Sequence, residues 1–203
     1  MLTKFLLTVY LAGTLTTAAL VKKVEKTAEF DDIPATQAAV QPLGAYEGLK
    51  YTGFVVVNQK LPIIGGQVAG INPNSAPNAA AFDPRSTVLN GPPSITPDGN
   101  TVAFTAKSFY FGCVLPEANA ITSTPTSCTV TVTGRSYFKV GPKAEEIQQS
   151  FEFTPKLGAL KQEMVVAKLT SFALVDQITF DVQPSGIALL TDNYNYYLHG
   201  KNL

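Results

Sequence analysis

The 203-residue sequence predicts a single all-β domain, an antiparallel β-sandwich of jelly-roll type with one long irregular loop. Several segments alternate apolar and polar residues with a period of two. Fifteen glycines and fourteen prolines punctuate the chain between them as turn formers. No segment holds a convincing helical period; PKAEEIQQ and LKQEMVVAKL come closest, and the second reads as helix or strand. A chain of this length can bury one full-sized core.

The N-terminus stands apart from this pattern. In MLTKFLLTVYLAGTLTTAALVKK, Lys4 precedes a mostly apolar run from Phe5 to Leu15, and the small residues Thr16, Thr17, Ala18 and Ala19 follow. That order predicts a secretory signal peptide over residues 1–19, with cleavage near Ala18 or Ala19. The run is too short for a stable bilayer span, and it lacks the polar face of a surface helix. Residues 20–29 read as a polar lead-in to a domain covering 30–203. Lys22, Lys23 and Lys26 then belong to a frayed terminus or to a short pro-segment cut after Lys22-Lys23. The expected product is secreted, extracellular, free of membrane after cleavage, and monomeric.

The chain carries fifteen basic and fifteen acidic residues, and losing Lys4 leaves it about neutral to slightly acidic. No basic patch with interleaved aromatics occurs, so nucleic acid is not an expected partner. Cys113 and Cys128 are the only cysteines, and in an oxidising compartment a disulfide is the default reading. Cys113 shares parity with Phe109 and Phe111, and Cys128 with Val130 and Val132, so both thiols face a core, as a bridge between neighbouring strands requires. Closing that loop should contribute about 3 kcal/mol on the chain-entropy model. A zinc site would need further His or Cys ligands, and the only histidine is His199. No N-x-[ST] sequon is present.

From Phe30 onward strands alternate with turns. In CTVTVTG, Cys128, Val130 and Val132 face one way and Thr129, Thr131 and Thr133 the other. Phe151 and Phe153 bracket Glu152, and Ile178, Phe180 and Val182 share a face in QITFDV. KSFYFGCVL and YTGFVVVN are apolar on both faces and read as central strands. The segment from about Gln59 to Gly99, with PIIGG, NPNSAPNAAAFDP and NGPPSITPDG, reads as the long loop. In the closing ALLTDNYNYYLHG, Tyr194, Tyr196 and Leu198 take core parity, while Asn195, Tyr197 and His199 face outward. Asp192 also has core parity, and a buried carboxylate requires hydrogen bonds or a cation.

FDDI (Phe30 to Ile33), YEGLKYTGFVVVN (Tyr46 to Asn58), SFYFGCVL, CTVTVTG, FEF and the closing LLTDN together resemble an uncharacterised family of small secreted fungal proteins. That family opens on F-D-D and carries D-N before its last strand, and the resemblance covers most of the chain from Phe30 to Leu198. It implies a jelly roll similar to non-catalytic carbohydrate-binding modules. It also implies a structural calcium, with Asp31 or Asp32 and Asp192 supplying carboxylates and backbone carbonyls completing the shell. The alternative is that Asp32 makes a turn before Ile33-Pro34 and that Asp192-Asn193 is a β-bulge with local side-chain bonds. Many relatives carry Trp in the segment corresponding to Tyr51–Phe54, whereas this chain has no Trp.

No catalytic constellation emerges from the residues. A glycosidase needs two carboxylates across a cleft, and no spacing singles out a pair. His199 has no G-x-S-x-G partner, and neither GQVAG nor IIGG leads into a helix as a phosphate loop would. Candidate ligand-binding residues are Tyr197, Tyr51 and Glu47, with Tyr46 and Tyr137 as further rings and Asn72, Asn74, Asn78 and Asp83 as loop hydrogen-bonding groups. The competing reading makes each ring a strand residue half covered by its neighbours, and each loop group plain turn chemistry. The expected function is non-catalytic binding of a cell-wall or plant polysaccharide. The alternatives are an effector-like interaction with a host protein and a carboxylate-based carbohydrate-active enzyme.

Overall fold

The period-two segments become strands in a computed structural model, which describes residues 22–34, 41–58, 70–82, 93–115, 124–136, 145–159 and 161–200. The segment read as a signal peptide lies outside the described residues. The strands in chain order are β1 (Lys22–Ala28), β2 (Gln41–Tyr46), β3 (Leu49–Asn58), β4 (Gly70–Asn72), β5 (Asn78–Phe82), β6 (Ser94–Pro97) and β7 (Thr101–Leu115). They continue with β8 (Thr124–Pro125), β9 (Cys128–Ser136), β10 (Glu145–Phe153), β11 (Lys161–Glu163), β12 (Val165–Lys168), β13 (Gln177–Gln183) and β14 (Ala188–Gly200). Every regular element among the described residues is a strand, and the architecture is an all-β sandwich.

Most strands belong to one antiparallel, curled sheet in the order β10-β9-β13-β6-β3-β5-β14-β7-β12. β6 and β5 occupy successive halves of the same edge of β3, and β2 runs along the other edge. The sheet divides there into two facing layers. β14 is shared in a similar way: its first half lies between β5 and β7, and its second half between β1 and β7. A small parallel pair, β4 with β11, stands apart.

The alternation works as read. Val130, Val132, Ile178, Phe180 and Val182 are buried, while Thr129, Thr131, Thr133 and Thr179 lie on the opposite, half-exposed face. Aromatic rings knit the layers together. Phe109 of β7 stacks on Tyr194 of β14 and meets Phe180 of β13 and Phe151 of β10 edge-on, at centroid distances of 5.2, 5.8 and 6.2 Å. Such pairs add about 0.5–1.5 kcal/mol each beyond the burial of their area.

Four expectations change in the folded chain. Residues 22–28 of the polar lead-in form the edge strand β1, whose lysines are the kind of charge that protects an edge from pairing with other chains. The segment read as one long loop contains β4, β5 and β6, and β5 is a fully buried strand between β3 and β14. Both helix candidates are extended, contributing to β10 and to β11 and β12. The Cys113–Cys128 disulfide is present, with Cα atoms 6.2 Å apart, yet it joins β7 to β9, which are not hydrogen-bonded neighbours. It therefore ties one layer to the other.

Residues 172–175 run beside the first half of β7, held by Ala106 N–H to Phe172 O at 3.0 Å and a reciprocal pair between Phe104 and Val175 at 2.9 and 2.8 Å. Phe172 reaches the core over Gly134 of β9. A Cβ at residue 134 would stand 2.6 Å from Phe172 Cδ1 and 2.8 Å from Cε1. Gly134→Ala is therefore expected to cost about 1–3 kcal/mol by overpacking. The urea midpoint measures this, and an unchanged midpoint would show that Phe172 is free to move aside.

Candidate functional site

Two motifs far apart in sequence, FDDI and TDN, meet at one joint. The chain leaves β1 at Ala28 and turns at Phe30, whose φ is +65°. The Phe30 ring is fully buried against Tyr46 and Tyr51, at centroid distances of 5.3 and 5.6 Å, and this burial holds the turn in place. Ile33 N–H closes the turn on Phe30 O at 3.2 Å. Asn78, only 1% exposed at the start of β5, then grips it from the other side. Its Nδ2 donates to Phe30 O at 2.9 Å and Ile33 O at 2.8 Å, and its backbone N–H donates to Asp31 Oδ1 at 2.9 Å. With both amide hydrogens on carbonyls, the side-chain oxygen points elsewhere and finds no partner among the described residues.

Asp192 enters the same joint from β14. The register with β7 slips between Asp192 and Asn195, and Asn193 sits at φ +45°, so the strand bulges here. Asp192 is 0% exposed, in keeping with its core parity. Its carboxylate accepts Ser75 N–H at 2.7 Å, the Ser75 hydroxyl at 3.2 Å and Asn193 N–H at 2.8 Å. Burial pushes its carboxyl up to about 6; these donors oppose the rise and the Asp31 charge adds to it. Asn193 Oδ1 is a second buried oxygen without a partner among the described residues. The joint thus gathers the residues Asp31, Asn78, Asp192 and Asn193.

Asp32 is not part of it. Exposed on the turn, it accepts the Tyr46 hydroxyl at 2.7 Å; burial of the phenol, with this bond second, holds it well above its ordinary range. Among the described residues no group of three or more His, Cys, Asp or Glu side chains is placed to hold a metal ion. The trio Asp31, Asp32 and Asp192 is therefore reduced to two carboxylates.

The expected ligand-binding residues separate as well. Tyr51 is 2% exposed, with its ring edge-on to Phe30, Phe54 and Tyr194, so it belongs to the core. Glu47 occupies the β2–β3 turn at φ +47°, paired through its carboxylate with Lys26, while its carbonyl accepts the Tyr196 hydroxyl at 2.9 Å. Tyr197 faces outward on the sheet face formed by β1, β14 and β7. Its ring is not bare: Lys23 Nζ lies 3.6 Å and Lys107 Nζ 4.7 Å from its centroid. Lys107 also reaches the Tyr197 hydroxyl at 3.3 Å and Glu25 at 2.7 Å. His199 meets Thr105 at 2.9 Å on this face, and burial keeps its pKa below the usual value. Asn72 donates to Glu163 at 2.6 Å, Asn74 follows in the loop toward Ser75, and Tyr137 and Asp83 lie outside the described residues.

Sequence reasoning missed Ser75, Asn78 as a clamp, and the lysines over Tyr197. The one available signal was a polar Asn directly before the apolar run Ala79–Phe82.

The raised Asp192 carboxyl has a definite consequence for stability. Between its ordinary value of 3.8 and about 6, the folded state holds a proton that the unfolded state has released. Stability from this group is complete below about 4 and falls as pH rises toward about 6. Asp192→Asn is expected to remove that decline. Denaturation midpoints in metal-free buffer across this range test it, and a variant with the wild-type slope would assign the slope to another group.

No family model matches the chain, and no curated protein matches it. Among solved structures, it is similar to the K2 cleaved adhesin domain of Lys-gingipain (Kgp), at 13% identity over 85% of this chain and 97% of that one, with a TM-score of 0.39. A likeness this loose transfers nothing to the present chain.

Proposed function

We propose that this protein is a secreted, non-catalytic binding protein whose target is a cell-wall or plant polysaccharide. The observation that carries this reading is the outer face of β1, β14 and β7. There, Thr27 Oγ1 donates to Asn195 Oδ1 at 2.8 Å, Asn195 Nδ2 donates to Ser108 at 3.3 Å, and Thr105 holds His199. This hydroxyl and amide array rests on the aromatic core, so its groups are positioned before any ligand arrives. Its partly covered ring at Tyr197 offers a hydroxyl edge more than an open stacking platform. The disulfide suits an oxidising compartment.

Sedimentation with insoluble chitin, β-glucan, cellulose and pectin tests the reading. The protein is expected in at least one pellet, with retention reduced in Tyr197→Ala. Absence from every pellet would refute it.

The joint beneath β14 also fits a structural calcium. Hard oxygen ligands are what calcium takes, and Asn78 and Asn193, bonded through their backbone N–H groups to Asp31 and Asp192, carry side-chain oxygens of that kind with no partner among the described residues. Those four residues, with nearby backbone carbonyls, would hold the ion. Its charge would offset the two carboxylates and lock the Phe30 turn onto the bulge. Calcium is expected to raise the melting temperature of chelator-treated protein, equivalent to about 2.7 kcal/mol at a hundredfold excess over Kd. Asp192→Ala should melt at a calcium-independent temperature, and a wild type indifferent to millimolar calcium would rule the site out.

A further inference from the structure

Beside Tyr197 the same outer face dips into a cleft of about 410 Å³, between residues 105–108 of β7 and an arch formed by residues 168–173. The volume falls within the range of small-ligand sites, about 300–1,000 Å³. The arch is fastened on both sides. Leu169 N–H donates to Lys107 O at 2.8 Å and Ala106 N–H to Phe172 O at 3.0 Å. Thr170 N–H donates to Gln149 Oε1 at 3.0 Å, and Gln149 Nε2 returns to the Thr170 hydroxyl at 3.1 Å. The cleft is therefore built into the fold.

Its lining has three chemical parts. Leu169 and the exposed Ala173 make an apolar floor backed by the buried Ala106 and Phe172, and Thr105, Ser108 and Thr170 carry hydroxyls. The third part is cationic. Lys107 is neutralised by Glu25 at 2.7 Å, but Lys168, exposed at the end of β12, has no acidic partner among the described residues. Pairing of Lys168 with Ser108, and of Ser108 and Thr27 with Asn195, continues the hydrogen-bonded row Thr27–Asn195–Ser108 to an ammonium at its far end. Among the described residues, Lys23, Lys107 and Lys168 stand across this face against Glu25 alone.

We propose that this cleft binds a carboxylate-bearing sugar unit, so that the target polysaccharide is an acidic, uronate-containing one. The inference rests on the binding function proposed above and names the chemistry of the ligand. A uronate ring has a C–H face for the apolar floor, hydroxyls for Thr105, Ser108 and Thr170, and one carboxylate for Lys168. A neutral glucan would leave Lys168 unmatched. A nucleic acid would need a longer run of cations than one uncompensated lysine beside a neutralised one.

Calorimetric titration with short oligogalacturonates and with their fully methyl-esterified counterparts tests the proposal. The free acid is expected to bind at least tenfold tighter than the ester, and Lys168→Glu to lose at least tenfold with an unchanged melting temperature. Lys168→Arg should retain binding, and Lys50→Glu, the same charge change on the other layer, should bind as wild type. Equal affinity for acid and ester, or wild-type affinity in Lys168→Glu, overturns it. Binding to neutral glucan without oligogalacturonate overturns this assignment and leaves the broader function standing, whereas binding to no polysaccharide removes both.

Discussion

The fold hinges on a buried carboxylate at the middle of its last strand. β14 serves two neighbourhoods, β5 and β7 in its first half and β1 and β7 in its second. Asp192 lies where one gives way to the other. A carboxylate with no exposure is costly unless hydrogen-bonded, and here the Ser75 backbone, the Ser75 hydroxyl and Asn193 N–H supply the bonds. Those bonds draw the 73–77 loop onto the bulge, and Asn78 draws the Phe30 turn onto the start of β5. Three segments widely separated in sequence are thereby locked at one point.

The aromatic core and this joint support each other. Phe30 contacts Tyr46, Tyr51 and Tyr194, and Tyr194 follows Asp192 by two residues on the same face. Placing Phe30 correctly places Asp31 beside Asn78, and placing Tyr194 correctly buries Asp192. From Asn195 onward the polar side of β14 turns outward instead, and with β1 and β7 it forms the face that carries Tyr197, His199 and the cleft. One strand thus contributes to the core, the joint and the polar outer face. The disulfide adds a covalent tie between the layers near the other end of β7.

Much of this was legible in the residues. CTVTVTG, QITFDV and the closing YNYYLH report their faces correctly, because a sheet buried on one side imposes a period of two that no local effect disturbs. The same rule placed Asp192 inside. It failed where its assumptions failed. KKVEKTA lies at a sheet edge and keeps charges on both faces, so it looks like a solvated tail. NAAAF is buried on both faces and too short to announce itself amid turn formers. The cysteines were paired correctly by elimination, but parity along a strand says nothing about which strand lies opposite.

The sequence by itself determined an all-β domain, the faces of its longer strands, the pairing of its two cysteines and the presence of a carboxylate in the core. These are local or compositional properties, set by alternation and by the small number of residues able to do the chemistry. Only the tertiary structure decided that Tyr51 is interior while Tyr197 faces out beneath two lysines. It alone separated Asp31 from Asp32, made Asn78 a clamp, and brought Lys168 into line with Ser108. Those outcomes depend on strand order and register, which arise from contacts between segments many tens of residues apart and leave no trace in the spacing of residues along the chain.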